Sequence, residues 1–273
     1  MNTQPSRLGP DFRRRLLTAL GGIPLIVAAI FIGYPVWTVV VIGTALVCVR
    51  ELRRMITPEG KTGLTGMIVV VLACFISFAI QNYIILILAI LGYFGVPAIQ
   101  LISNSAPKRQ FLLRNFVYPA IGALYIGMPL AFLLAVRGFE QGALWTGMAF
   151  ATNWATDSFA LIGGRIAGRH KLAPAISPGK TTEGAAIGLF SGFAIGTICG
   201  LLVGLPGNIV PIAAFVMAIL TIVGDLLESL IKRSFSVKDA GFILPGHGGF
   251  LDRVDGMLLA GPALYIILLL AHI

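Results

Sequence analysis

Residues 209–231 read IVPIAAFVMAILTIVGDLLESLI. A helix that crosses a bilayer needs about 20 mainly apolar residues, and this run supplies them. Its strongly polar members, Asp225 and Glu228, lie toward its C-terminal end. Directly behind comes the least oily stretch of the chain, SLIKRSFSVKDAGFILPGHGGFLDRVD at 229–255. It carries Asp239, Asp252 and Asp255, four of the basic residues, and His247 within His247-Gly248-Gly249. Charge is scarce in this sequence, so its concentration in one short segment points to chemistry rather than to folding.

The rest of the chain repeats the apolar theme. Hydrophobic residues make up 57% and charged residues 11%, against about 25% charged in soluble domains, so the composition is that of an integral membrane protein. Further apolar runs lie at 16–32, 36–49, 64–80, 84–102, 116–136, 142–162, 185–205 and 257–273. Together they predict an all-α polytopic membrane protein with about nine transmembrane helices. If the N-terminus is cytoplasmic, the cytoplasmic segments are 1–15, 50–63, 103–115, 163–184 and 232–255. They hold every Lys and Arg except Arg137. Short loops obey the positive-inside rule, and a wrong span number would scramble that alternation. A cytoplasmic N-terminus and an external C-terminus are therefore expected, in a multi-pass protein of the cell membrane.

The same topology accounts for the net charge of +9, and no nucleic-acid partner is expected. Cys48, Cys74 and Cys199 lie in or at the end of apolar runs without ligand spacing and read as small core residues. The first run follows Arg13, Arg14 and Arg15 but lacks a small-residue cleavage site, so it reads as an ordinary span. The longest hydrophilic stretches, 163–184 and 232–255, fall short of the ~50 residues of a separate domain. Any active site must then be assembled from helix ends and loops at the cytoplasmic membrane surface. Residues 1–150 hold only Asp11, Glu51, Glu59 and Glu140 among the acids and read as scaffold; residues 151–273 hold the rest and read as the catalytic region.

Four constellations carry that expectation. Asn153 and Asp157 share a helical face at i, i+4, and an acid at membrane depth is a functional candidate by default; an interhelical polar clamp is the structural alternative. Ser177-Pro178-Gly179-Lys180-Thr181-Thr182-Glu183-Gly184 has the signals of a helix start, where free N–H groups beside Lys180 can cradle phosphate, or simply cap the helix. Asp225, Glu228 and Lys232 fall on one face of the eighth span; two carboxylates suit a divalent cation, and a Glu228–Lys232 ion pair is the competing reading. Finally, Gly248 and Gly249 allow close backbone approach to a ligand, and Asp252 and Asp255 open the last span, as metal ligands or as favourable acids at a helix N-terminus. Acids for metal, bases for phosphate and glycines for approach are the parts of phosphoryl or nucleotidyl transfer.

At these residues the chain resembles the phosphatidate cytidylyltransferases (CDP-diacylglycerol synthases). Ser229, Lys232, Arg233, Lys238, Asp239, Gly241, Leu244, Pro245, His247, Gly248, Gly249, Asp252, Arg253 and Asp255 all fit that family's signature without a gap. The stretch 177–184 is similar too, although Gly179 stands where the family more often has a basic residue or Asn. The resemblance implies that CTP and phosphatidate, a lipid of the bilayer, react to give CDP-diacylglycerol and pyrophosphate with Mg²⁺, together with a second, monovalent cation such as K⁺. It implies a metal centre on Asp225, Asp252 and Asp255. Catalytic roles are implied for Lys232, Arg233, Lys238, Asp239, His247 and Arg253. Substrate binding would fall to Asn153, Asp157, Ser177, Lys180, Thr181, Glu183, Gly248 and Gly249. A homodimer is the family's expectation. Two other functions remain open at this point: a CTP-dependent lipid (polyprenol) kinase, and a transporter with a metal or phosphate site.

Overall fold

The computed structural model describes residues 10–57, 63–102, 109–241 and 248–273, with side chains placed from residue 21 onward except at 96–102 and 109–110. Among the described residues it contains nine α-helices of at least 16 residues. They are α1 (Pro10–Ile32), α2 (Tyr34–Ile56), α3 (Leu64–Ala79), α4 (Ile84–Ile102), α6 (Tyr118–Val136), α7 (Gly142–Ala167), α8 (Thr182–Leu202), α9 (Val210–Ser234) and α10 (Leu251–Leu270). A single turn, α5 (Arg109–Leu112), runs through a π-helical turn at Leu113–Val117 into α6. Every apolar run of the sequence has become a helix. By length and apolarity, five helical stretches among the described residues meet the requirement for crossing a membrane: Tyr34–Ile56, Leu113–Val136, Thr182–Leu202, Val210–Ser234 and Leu251–Leu270.

The surface carries the same message. Leu25, Leu88, Phe190, Leu202 and Leu270 are all exposed, a pattern that water would penalise and lipid tails accept. Inside, Trp37, Trp145, Leu52, Ile126, Met217, Leu258 and Leu264 pack a core that joins the early helices to the late ones. The protein is a predominantly helical, multi-pass membrane protein.

Three details position the functional residues. Along α8 the buried residues are Gly184, Gly188, Gly192, Gly196 and Gly200, one per turn, and they lie against α7. A methyl on Gly192 would sit 1.9 Å from the Thr156 hydroxyl, and one on Gly188 2.6 Å from the Thr156 carbonyl. Small residues at this spacing let helix backbones approach in lipid, where packing rather than hydrophobicity drives association. The second detail lies between α9 and α10. A methyl on Gly224 would meet the Asp255 carbonyl at 2.5 Å, and one on Gly256 would meet Asn153 Oδ1 of α7 at 2.6 Å. Three helices therefore close to near-backbone contact beside Asp225 and Asp255.

The third detail departs from a purely helical expectation. Lys171–Ala173 (β1) and Ser177–Thr181 (β2) form an antiparallel hairpin between α7 and α8. α7 itself runs five residues past the apolar stretch that ends at Ile162, carrying Arg165 with it. Pro174 opens the three-residue loop, a length common in hairpins. Pro178 is tolerated because β2 is an edge strand. The helix-start signals of 177–184 act one step later: Thr181 is the N-cap of α8, its hydroxyl accepting the Gly184 N–H at 3.1 Å.

Candidate active site

At the end of the bundle where α7, α9 and α10 meet the hairpin lies a cavity of about 500 Å³, within the size range of small-molecule sites. Asp157 comes from α7, Ser177, Gly179, Lys180 and Thr181 from β2, Asp225 and Lys232 from α9, and Asp252, Arg253 and Asp255 from α10; Asp239 adds a carboxylate from the segment after α9. Residues as far apart in sequence as 157 and 255 thus converge on one volume, because the glycines at 224 and 256 remove the side chains that would hold the helices apart.

The polar network begins beneath the cavity. Asn153 is buried, its amide nitrogen donating to Asp157 at 3.3 Å and its Oδ1 accepting from the Thr221 hydroxyl at 3.0 Å. Asn153 therefore does not line the cavity; it ties α7 to α9 and orients Asp157. Sequence spacing showed the shared face of Asn153 and Asp157 but gave no sign of Thr221, which reads as one hydroxyl in an apolar run.

Two ion pairs organise the walls. Lys180 pairs with Asp225, so the acid that lacked a partner nearby in sequence finds one from the hairpin. Lys232 is held between Glu228 and Asp252, with Asp252 Oδ1 at 2.6 Å. The i, i+4 pair of Glu228 and Lys232 is real, yet it is only half of the arrangement. Asp252 Oδ2 accepts the backbone N–H groups of Gly249 at 2.8 Å and Ala240 at 3.2 Å, which folds the segment before α10 around that carboxylate. Asp255, almost wholly buried, accepts the Gly256 N–H.

Other sequence candidates stand beside the cavity rather than in its lining. Glu183 accepts from the Arg169 and His170 N–H groups and pairs with His170 Nδ1 at 2.6 Å, clasping the hairpin to the start of α8. Arg233 donates from Nε to the Ile176 carbonyl, holding the hairpin turn from the other side. Lys238 is exposed on the segment after α9. Gly248 sits in the left-handed region at φ +80, which favours glycine, and a methyl there would meet Asp252 Oδ2 at 3.0 Å. Gly249 is buried beside it. His247, with Leu244 and Pro245, lies outside the described residues. Arg165 was counted only as a topology charge, yet it lines the cavity. Only the extension of α7 past its apolar run brings it there.

The arrangement sets positive and negative side chains side by side around one volume. Cationic side chains face carboxylates in a half-enclosed volume, and charge-assisted contacts of this kind are short and strong. The cavity wall also includes Ala160, Leu161 and Ile222, and Leu161 is 57% exposed on the outer surface of α7. One side of the volume is therefore polar, and another borders the apolar exterior.

Comparison with known proteins identifies the family of the chain. The sequence pattern of the cytidylyltransferase family matches residues 13–271. A phosphatidate cytidylyltransferase of Bacillus subtilis (strain 168) is 32% identical over 275 residues, covering 95% of this chain and 98% of that protein. One from Brucella abortus (strain 2308) is 44% identical over 151 residues, 55% of this chain. One from Staphylococcus saprophyticus is 40% identical over 172 residues, 59% of this chain. The matched stretch spans 56% of the Brucella protein's length. With a match that runs across nearly all of its helices, the chain belongs to the cytidylyltransferase family.

Proposed function

We propose that this protein transfers a cytidylyl group from CTP to phosphatidate, giving CDP-diacylglycerol and pyrophosphate for phospholipid synthesis. The observation that carries the reading is the single cavity in which Asp157, Asp225, Asp252 and Asp255 meet Lys180, Lys232, Arg165 and Arg253. The names of the relatives point to the same pair of substrates. The nine helices correspond to nine spans, with the N-terminus and this cavity facing the cytoplasm, as the placement of all Lys and Arg but Arg137 supports. A site there serves a soluble nucleotide from one side and a lipid from the other, and the exposure of Leu161 suits the second route.

The chemistry follows from the substrates. A phosphatidate oxygen attacks the α-phosphorus of CTP in line, and pyrophosphate leaves. The nucleophile is already anionic, so no strong general base is required. What the protein must supply is position and positive charge, the usual content of phosphoryl-transfer catalysis. Lys180 and Arg165, from the hairpin and the end of α7, would hold phosphates together with Arg253 of α10, which lines the same cavity. Lys232 is fixed by two carboxylates and cannot wander, so its charge stays preorganised.

The donor set also fits Mg²⁺. The lining carboxylates are hard oxygen ligands, and no His or Cys lines the cavity among the described residues. No group of three or more such side chains forms a ready-made cage among them, which matches an ion that takes one or two carboxylates and completes its shell with water and substrate phosphates. Asp225, Asp252 and Asp255 share the cavity without forming such a group, so one or two of them would hold it, and when bound it would neutralise charge on the phosphates.

The test is a reaction of purified protein with CTP and phosphatidate, with both products identified. Pyrophosphate and CDP-diacylglycerol should form only when both substrates are present, and Asp252→Asn should abolish most of the rate. Release of CDP in place of pyrophosphate would identify a kinase and overturn the proposal.

A further inference from the structure

Glu51 belongs to α2, far in sequence from the cavity, and its side chain is buried at 1% exposure. Its Oε2 accepts the backbone N–H of Leu251 at 2.9 Å, across 200 residues of sequence. Leu251 is the first residue of α10, and the preceding N-cap, Phe250, offers no side-chain hydrogen bond. A helix start carries unsatisfied N–H groups and the positive end of the dipole, so a carboxylate there does the work that the local sequence omits. The cap of α10 comes from another helix.

The contact is tight on every side. A methyl on Gly241 would fall 2.4 Å from Glu51 Oε1, and one on Gly249 would fall 2.9 Å from Oε2. Gly241 lies before residues 242–247 and Gly249 is the last glycine of the His-Gly-Gly motif after them, so the backbone on both sides approaches the same carboxylate. Gly249 turns its N–H to Asp252 at the same time. Glu51 and Asp252 thus stand on opposite sides of one short backbone stretch. Glu51 Oε1, meanwhile, is buried with no hydrogen-bond partner among the described residues. A buried carboxylate oxygen without a partner carries a desolvation penalty, and a group kept at such a cost needs an explanation.

We infer that Glu51 is a positioning residue for the cytidylyl-transfer site: by capping α10 and seating Gly241 and Gly249, it sets where Asp252 stands relative to Lys232. The inference rests on the function proposed above, and its test separates the two. The full-length protein, purified in detergent, is assayed for CDP-diacylglycerol formation, and hydrogen exchange is followed in peptides covering 248–256. Glu51→Ala should lower kcat about 10–100-fold, as a misplaced catalytic group does, while KM for phosphatidate stays within about threefold. Protection at Leu251 should fall in the same variant. Glu51→Gln keeps an acceptor for that N–H and should recover kcat to within about fivefold of wild type.

Unchanged kcat in Glu51→Ala, or unchanged protection at Leu251, would overturn the inference, as would equal losses in the Ala and Gln variants. If Glu51→Ala does not fold, Gly241→Ala decides: its methyl must displace Oε1, so kcat should drop, and a wild-type kcat refutes the claim. A wild-type protein that makes no CDP-diacylglycerol would refute the proposed function alone. The exchange data would still judge Glu51, supporting the inference if protection is lost and overturning it if not.

Discussion

Replacing Lys232 by Met separates what this lysine does for the fold from what it does for the site. Its ammonium lies between Glu228, which is 1% exposed, and Asp252, whose side chain is 9% exposed. Asp252 keeps two backbone donors when the lysine is gone. Glu228 keeps no backbone donor among the described residues, and its other close neighbour is the Asp252 carboxylate. Removing one partner of a buried ion pair costs about 3–5 kcal/mol, chiefly because the remaining charge stays in a poorly solvated place. Most of that loss should therefore belong to Glu228. Replacing a buried pair by apolar groups of similar volume is close to neutral, so Lys232→Met combined with Glu228→Met should return to within about 1–2 kcal/mol of wild type. Activity should behave differently and remain low in both variants, because Asp252 has lost its cation in each. Denaturant titration in detergent micelles, followed by tryptophan fluorescence, gives the stabilities, and CDP-diacylglycerol formation gives the activities. A double variant as unstable as the single one would refute the reasoning, and so would a single variant that loses under 1 kcal/mol.

Three further outcomes follow from other contacts. Gly192→Ala places a methyl 1.9 Å from the Thr156 hydroxyl and should destabilise the protein by about 1–3 kcal/mol, whereas Gly179→Ala, with nothing within 4 Å, should leave stability unchanged in the same titration. Lys180→Ala should lower kcat/KM for CTP about 100-fold in steady-state kinetics, since its ammonium, buried against Asp225, supplies positive charge at the cavity wall. Asn153→Ala frees both Asp157 and the Thr221 hydroxyl; it should reduce kcat about tenfold or more in steady-state kinetics and leave KM for CTP nearly unchanged.

Where an interaction is local, the sequence announces it. The apolar runs became helices, the stretch 177–184 that signalled a helix start supplied Thr181 as the cap of α8, and Asn153 met Asp157 one turn away. Each depends on residues within a few positions of each other, and periodicity is informative at that range. The hairpin at 171–181 was illegible because its edge strands are short and carry Pro178, so no alternating apolar pattern exists to read. The partner of Asp225 was illegible for a different reason. Only after the hairpin folds back across the end of α9 does Lys180 reach it. Glu51 lay furthest from view: a single acid near the end of an apolar run looks like ordinary interfacial charge, and its partner is 200 residues away. Long-range hydrogen bonds to backbone leave almost no trace in residue type, since every non-proline N–H is the same donor.

The row of glycines on α8 has one more consequence. Helices that meet through backbone atoms have no flexible side chains between them to absorb a shift, so their separation is a fixed gauge. α7 carries Asp157, and α8 begins at the end of the strand that carries Lys180. The distance from that aspartate to that lysine is therefore calibrated by the α7–α8 seam rather than by the surrounding lipid. A bilayer that thickens or thins as its acyl chains change forces embedded helices to tilt. In this protein such a tilt would turn α7 and α8 together, leaving the spacing across the cavity the same in a membrane whose composition the protein itself would help to set.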